Sequence, residues 1–355
     1  MKKIQIAGLT ALTLLGSLTT SQAQSATTDP VGYITINIKG HGGTSTQGIT
    51  VPRISLVGQQ EYSSSTSAFT RGATNILTDS SAAFAVGDYI NNTHVSHYIE
   101  ITSGPHAGTI SWITASAGGT TLETNDDLSF IADNSSYTIR KAFTISDLFE
   151  TIPTALTGAG SQSSADEVQI LDASTGEYSS FWYKSAGLGV TGWQTTKSTA
   201  TPPAEYALFP TDGILILRKQ EADTSVVVTG SVKLSDTLTE IEGNGYNLLS
   251  PLVPVEQITP ANSGLYTGLA TTGLTAAGSQ ASADEILIYD PTSKSYISFW
   301  YKNTGLGETG WQVAGETTTI LDPANYAFPK GSAIFVYRKA AQGFTWTMPK
   351  TFTGN

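Results

Sequence analysis

Phe181-Trp182-Tyr183-Lys184 and Phe299-Trp300-Tyr301-Lys302 are the segments of this 355-residue chain best suited to recognition chemistry. In an extended strand, neighbouring side chains point to opposite faces. Tyr178, Ser180, Trp182 and Lys184 therefore share one face, and Ser179, Phe181 and Tyr183 share the other. Aromatics stand on both. The first expectation is that both faces are covered, with one part of the chain packed on another. The alternative is an open aromatic face that stacks on sugar rings, as in carbohydrate-binding modules. Gly187-Leu188-Gly189 and Thr191-Gly192-Trp193-Gln194 follow, with copies at Gly305–Gly307 and Thr309–Gln312. A phosphate cradle needs a helix N-terminus after the glycines. No Walker lysine and no helical pattern follows here, so each reads as a tight loop with a tryptophan plug. The candidate ligand-binding side chains are Trp182, Tyr183, Trp193, Trp300, Tyr301 and Trp311.

Asp166-Glu167 and Asp284-Glu285 form a repeated acidic pair. Glycoside hydrolysis needs two carboxylates facing each other across a cleft, and adjacent strand residues face opposite ways. The pairs read as structural, with a Ca²⁺ ligand role as the alternative, although no twelve-residue EF-type loop is present. All four histidines, His41, His94, His97 and His106, precede the repeated blocks. His94 and His97 are three apart, which in a strand points them to opposite faces. A Ser-His-Asp site within a repeated block is thereby excluded. No catalytic residue, metal site or cofactor is expected.

Composition narrows the classes further. There is no Cys, which removes disulfides, thiolate metal sites and a cysteine nucleophile. A net charge of −11 argues against a nucleic-acid partner. Lys2 and Lys3, the uncharged apolar run Ile4 to Leu18, and Ser21-Gln22-Ala23 read as a signal peptide over residues 1–23. Its apolar stretch is shorter than the ~20 residues that span a bilayer. No later segment reaches 18 apolar residues, so no transmembrane segment is expected in the mature chain. Periplasm, cell surface and medium all remain open destinations.

The elements that carry these side chains come from an internal repeat. Thr157–Gln194 and Thr275–Gln312 match at 24 of 38 positions, offset by 118 residues. Pro203-Ala204-Glu205-Tyr206-Ala207 is echoed by Pro323 to Ala327, and Ile214 to Lys219 by Ile334 to Lys339. Gly32-Tyr33 reads as the counterpart of Gly245-Tyr246, which implies an insertion of about 95 residues in the first unit, roughly residues 60–143. The expected domains are a first β unit over 24–235, with 60–143 an inserted β-meander, and a second over 236–355 that copies 144–235 plus its leading strand.

Apolar runs are short and broken by Gly, Ser, Thr, Asn and Pro. Val168–Leu171, Ser180–Lys184, Ile214–Arg218 and Val226–Thr229 read as strands, and Asp172–Gly176 and Asp290–Lys294 as hairpin turns. In the insertion, His97–Ile101, Thr109–Ile113 and Thr120–Glu123 read as a three-stranded meander broken at Ser116–Gly119. Ser146 to Phe149 and Pro260 to Leu265 fit single helical turns. The fold class is all-β: duplicated β-sandwich or small-barrel units with an inserted small β module.

Asp29-Pro30-Val31-Gly32-Tyr33, the run from Tyr98 to Gly108 with its ITSGPHAG core, Tyr137-Thr138-Ile139-Arg140-Lys141 and Thr229–Lys233 stand beside the WYK and GLGxTGW blocks. Together they resemble an uncharacterised family of secreted β-rich bacterial proteins, over nearly the whole mature chain. A second WYK–GLG–GW block departs from the single copy usual there. The resemblance implies secretion and brings no catalytic residue. The reading is an exported, non-enzymatic binding or scaffolding protein of the cell envelope or exterior. Polysaccharide and other envelope components are the candidate partners. The alternative is a carbohydrate-binding or polysaccharide-degrading protein.

Overall fold

The computed structural model describes residues 29–43, 45–64, 69–73, 75–91, 94–149, 155–197, 201–252, 257–314, 320 and 322–350. The expected signal segment 1–23 lies outside them. The first segment contributes β1 (Val31–Ile38) and β2 (Gly48–Thr50). The next contributes β3 (Gln60–Ser63), β4 (Phe69–Ala73), β5 (Ile76–Asp79), β6 (Phe84–Val86), β7 (Ile90–Asn91), β8 (His94–Val95), β9 (His97–Ile101), β10 (Ile110–Gly119), β11 (Thr121–Thr124) and β12 (Tyr137–Lys141). Helix α1 (Ile145–Phe149) precedes β13 (Glu167–Asp172), β14 (Glu177–Lys184), β15 (Gly192–Thr195), β16 (Ile214–Arg218) and β17 (Thr224–Ser231). The chain continues with β18 (Thr237–Ile241), β19 (Gly245–Leu249), β20 (Glu285–Asp290), β21 (Ser295–Lys302), β22 (Gly310–Ala314), β23 (Ile334–Arg338) and β24 (Phe344–Met348). The protein is nearly all β, in antiparallel sheets, with no closed barrel among the described residues. Of the two architectures expected, it is the sandwich.

Each sandwich pairs a five-stranded sheet with a two-stranded ribbon. Sheet β15-β14-β13-β16-β2 is covered by ribbon β1-β17, and sheet β22-β21-β20-β23-β19 by ribbon β18-β24. The ribbons show why these residues make strands. In β24, Phe344, Trp346 and Met348 are buried while Thr345 and Thr347 are exposed, the period of two expected for a half-buried strand. The first core joins Ile36, Ile38, Val226 and Val228 of the ribbon to Val168, Phe181 and Ile216 of the sheet. The second joins Ile241, Phe344 and Trp346 to Ile286, Phe299 and Val336.

Strand pairing corrects the alignment of the unit starts. Gly48 sits opposite Arg218 as Gly245 sits opposite Arg338, so β2 matches β19. Ile38 faces Thr224 as Ile241 faces Phe344, so β1 matches β18. Gly48, not Gly32, is therefore the partner of Gly245. From Gly48 to Asp166 is 118 residues and from Gly245 to Asp284 is 39, so the first unit is 79 residues longer here.

Within residues 60–141, eight strands make one sheet, ordered β3-β12-β9-β10-β11-β5-β4 with β6 beside β10, and β7-β8 a separate two-stranded ribbon, more than the three-stranded meander expected. Strand β10 also continues through Ser116–Gly119, where a turn is expected, because register shifts let it bend without ending. This sheet has its own core, including Leu77, Ile99, Ile113, Leu122 and Ile139. A smaller apolar contact of Tyr98, Ile110 and Trp112 with Ala207 and Phe209 joins it to the first sandwich.

Helix α1 opens with a reciprocal cap. Thr144 N–H donates to Asp147 Oδ2 at 3.0 Å, and Asp147 N–H to Thr144 Oγ1 at 3.1 Å. Thr259 and Asn262 make the same exchange, yet Pro260–Leu265 forms turns and no helix.

The two five-stranded sheets pack face to face through Val51, Leu215 and Leu217 against Leu248, Tyr289 and Phe335. Full burial of such a side chain contributes about 1.5–3 kcal/mol. The contact is isologous. Pro52 bridges Ser332 as Leu249 bridges Asp212. Ala333 N–H donates to Val51 O as Gly213 N–H does to Leu248 O, each at 2.9 Å. The sandwiches thus meet like subunits of a two-fold dimer joined in one chain.

Candidate functional site

Structure divides the six candidate aromatics into two groups. Trp193 and Trp311 are buried, at 9% and 8% exposure, in the two sandwich cores. Tyr183 packs edge-on against Trp193 at 5.9 Å, and Tyr301 against Trp311 at 5.6 Å. These four rings serve cohesion, and the cores occupy their faces. Trp182 and Trp300 lie on the opposite sheet faces, half-buried, beyond the apolar centre of the contact between sheets.

Each half-buried tryptophan sits in a polar row. Trp182 pairs with Glu167 on β13 and Gln194 on β15. Glu167 accepts from Gln162 Nε2 at 3.0 Å and meets Lys219 Nζ at 3.3 Å. Trp300 pairs with Gln312. Its neighbour Glu285 meets Lys339 Nζ at 2.6 Å, accepts from Gln280 at 2.9 Å, and accepts from Ser298 Oγ. Burial alone would raise the Glu285 carboxyl. Hydrogen bonds from Lys339, Ser298 and Gln280 outweigh it and hold the group below its ordinary value. The second row continues into Tyr337 and Tyr246, stacked at 4.3 Å, where the first has Leu217 and Ile49. The two positions share a Trp–Glu–Lys–Gln set and differ in the aromatics beyond it.

The other half of each acidic pair is structural. Asp166 binds Arg218 at 2.9 Å and Asp284 binds Arg338 at 2.6 Å, all four side chains buried. The same carboxylates accept from the backbone N–H groups of Lys219 and Lys339 at 2.7 Å. The strings containing Asp-Glu and Arg-Lys are therefore one device: Arg and Asp lock inside while Lys and Glu pair at the rim.

The glycine loops are closed by their own lysines. Gly187 and Gly189, like Gly305 and Gly307, have φ near +90°, which favours glycine. Lys184 Nζ donates to Leu188 O, and Lys302 Nζ to Leu306 O, so the FWYK lysines tie these loops. The histidines stay apart. His94 meets Glu205 at 3.1 Å and His97 meets Glu61 at 3.0 Å. His106 packs against Phe130 at 4.8 Å. Among the described residues no three His, Asp or Glu side chains converge as a metal set, and no helix is long and apolar enough to cross a membrane.

Sequence reasoning missed a cleft of about 740 Å³ at one end of the interface between sandwiches, walled also by the inserted sheet. Asp126, Asp127, Asp172, Asp212, Glu240 and Glu242 line it, with no Lys or Arg. Burial, and secondarily the Asp172 charge, push the Asp212 carboxyl up to about 7. Hydrogen bonds, first from Ser174, hold Asp172 below its ordinary range. These acids come from four distant stretches of chain, and no spacing rule links them.

The motifs behind the family resemblance also converge. Glu100 accepts from Arg140 Nε at 2.9 Å and pairs with Lys233 Nζ at 2.8 Å, and Arg140 also meets Asp29. Glu100, Arg140 and Lys233 are buried. They pin the inserted sheet to one end of the first ribbon, where the start of β1 lies beside the end of β17. Comparison with protein-family models, curated proteins and solved structures finds no match.

Proposed function

We propose that the protein is an exported, non-enzymatic binding or scaffolding protein of the cell envelope or exterior, and that its ligand is a polysaccharide. One observation carries this reading. Of the repeated tryptophans, the two not consumed in cores, Trp182 and Trp300, each stand half-buried beside a Glu–Lys pair and two glutamines. An aromatic face rimmed by fixed donors and acceptors suits a sugar ring, which is apolar on its faces and polar at its edge. Two such patches on one rigid body would add avidity on a polymer. The signal-like residues 1–23 support export. The test is retention of the chain from residue 24 onward on insoluble polysaccharides. Trp182→Ala and Trp300→Ala should each weaken retention about tenfold, equivalent to ~1.4 kcal/mol, and the double variant should abolish it. No retention on any polysaccharide leaves the scaffold reading.

A second reading is favoured by the acidic cleft. A carboxyl pushed up to about 7 at Asp212 and one held low at Asp172, both lining a single cleft, are the unequal pair that glycoside hydrolysis uses. Release of reducing ends by the wild type, lost in Asp212→Asn, would establish the enzyme and displace the non-enzymatic reading.

A further inference from the structure

A second cleft, of about 480 Å³, lies at the other end of the interface between sandwiches. Strand pairing makes it the symmetry mate of the acidic one. Lys39 N–H donates to Thr50 Oγ1 as Glu242 N–H donates to Asn247 Oδ1, so Lys39 stands where Glu242 stands. Ser332 stands where Asp212 stands. The sign of the charge is inverted: Lys39, Arg53 and Lys330 line this cleft, and no Asp or Glu does. That is a basic cleft on a chain whose net charge is −11.

Arg53 sets this cleft apart. It is 8% exposed, and its Nε meets no acceptor. Arg140, Arg218 and Arg338, the other buried arginines among the described residues, each hold a carboxylate. Arg53 holds none among the described residues, while its backbone N–H is fixed to Gly331 O at 2.6 Å. Lys39 leans to Asp223 at 2.7 Å on the solvent side, and Lys330 is exposed. Burial pushes the Arg53 guanidinium down to about 10, still charged at neutral pH. A buried charge without a counter-charge is costly, and a buried polar group without a partner marks a place where a water or ion belongs.

We propose that this cleft binds an oxyanion, a carboxylate, sulfate or phosphate group, with Arg53 as its forked donor and Lys39 and Lys330 as flanking charges. The assignment stands independently of the polysaccharide reading. A uronate or sulfated sugar would satisfy both.

The experiment is isothermal titration of the purified chain from residue 24 onward with inorganic phosphate, sulfate and glucuronate at fixed ionic strength, glucose serving as the neutral control. Saturable one-to-one binding of at least one anion is expected, with none of glucose in this cleft. The anion bound most tightly identifies the carrier: glucuronate an acidic sugar, phosphate or sulfate an esterified one or the free ion. Arg53→Met should weaken binding at least tenfold. Because an unpaired charge is removed, that variant should melt no lower than the wild type in phosphate- and sulfate-free buffer. Lys330→Glu, at an exposed position, should also weaken binding and carries the test if Arg53→Met does not fold. Absence of binding by all three anions at millimolar concentration, or binding unchanged in either variant, overturns the proposal.

Discussion

Replacing Glu100 by Ala tests the claim that one buried ion cluster couples the inserted sheet to the first sandwich. Glu100 is 1% exposed and receives Arg140 Nε at 2.9 Å, Lys233 Nζ at 2.8 Å and Ser235 Oγ at 2.8 Å. Its removal leaves Arg140 with Asp29 alone among carboxylates, and Lys233 with only the Ser235 side chain and the carbonyls of Ser235 and Asp236. Breaking a buried pair by deleting one partner costs about 3–5 kcal/mol, a large share of the ~5–15 kcal/mol typical of a folded protein. Urea denaturation followed by circular dichroism and tryptophan fluorescence reads the loss. The triple variant Glu100→Leu, Arg140→Met, Lys233→Met removes the charges together and should recover most of it, since apolar replacements of a whole buried cluster are often neutral or better. Acid supplies a second readout. Burial raises the Glu100 carboxyl, but Lys233 and Arg140 outweigh it and hold the group below its ordinary value. Its stabilisation is therefore complete above the unfolded value of ~4.3 and is lost as pH falls through the lower folded value. That acid limb should be weaker in the triple variant. A loss below about 1 kcal/mol in Glu100→Ala, or a triple variant as unstable as the single one, would refute the reasoning.

Other outcomes follow from the same structure. Trp193→Ala and Trp311→Ala should each cost ~3–5 kcal/mol because they empty a core, whereas Trp182→Ala and Trp300→Ala should cost much less; denaturation midpoints separate the two groups. Lys294 occupies the left-handed region at φ 55°, where its counterpart Gly176 has φ 72°. Lys294→Gly should therefore raise stability by up to ~1 kcal/mol and Gly176→Ala lower it, read by thermal melting. Asp212, raised to about 7, favours the folded state fully below ~4, and that contribution is lost as pH rises through about 7. Asp212→Asn should flatten the pH dependence of the melting temperature across that window. Asp284→Asn, which leaves Arg338 buried without its carboxylate, should destabilise the second sandwich by ~3–5 kcal/mol, while Lys339→Gln at the rim should cost about 1 kcal/mol or less by the same melts.

The all-β class was legible because it rests on local patterns. Short runs such as Val168–Leu171 and Ile214–Arg218 alternate or bury fully between turn residues, and the structure places strands there. The hairpin at Asp172 was legible because an Asp side chain organises its own turn: Oδ1 accepts from Ser174 N–H at 3.0 Å and Gly176 N–H closes on Asp172 O at 2.7 Å. The role of the acidic pair was legible only as far as its being structural. Its partners, Arg218 and Arg338, lie more than 50 residues on, and strand order alone brings them near.

Which aromatic face is open was beyond any local rule. Alternation puts Trp182 and Tyr183 on opposite faces, but it does not say what covers each face. The core that the sheet shares with ribbon β1-β17 and helix α1 takes in Tyr183 and Trp193, and the second sandwich covers the centre of the other face while leaving Trp182 at its margin. The same holds for both clefts. Asp212 and Arg53 are single residues, outside the strings that match between the two units, that nothing in the chain's spacing distinguishes. Their chemistry arises because two sandwiches meet about a pseudo-two-fold axis, and the symmetry that gives each cleft its walls does not extend to its charges. Local sequence sets dihedral preference and the face a side chain takes. Burial and electrostatic environment depend on surfaces supplied by distant parts of the chain, and so they appear only when the tertiary structure is assembled.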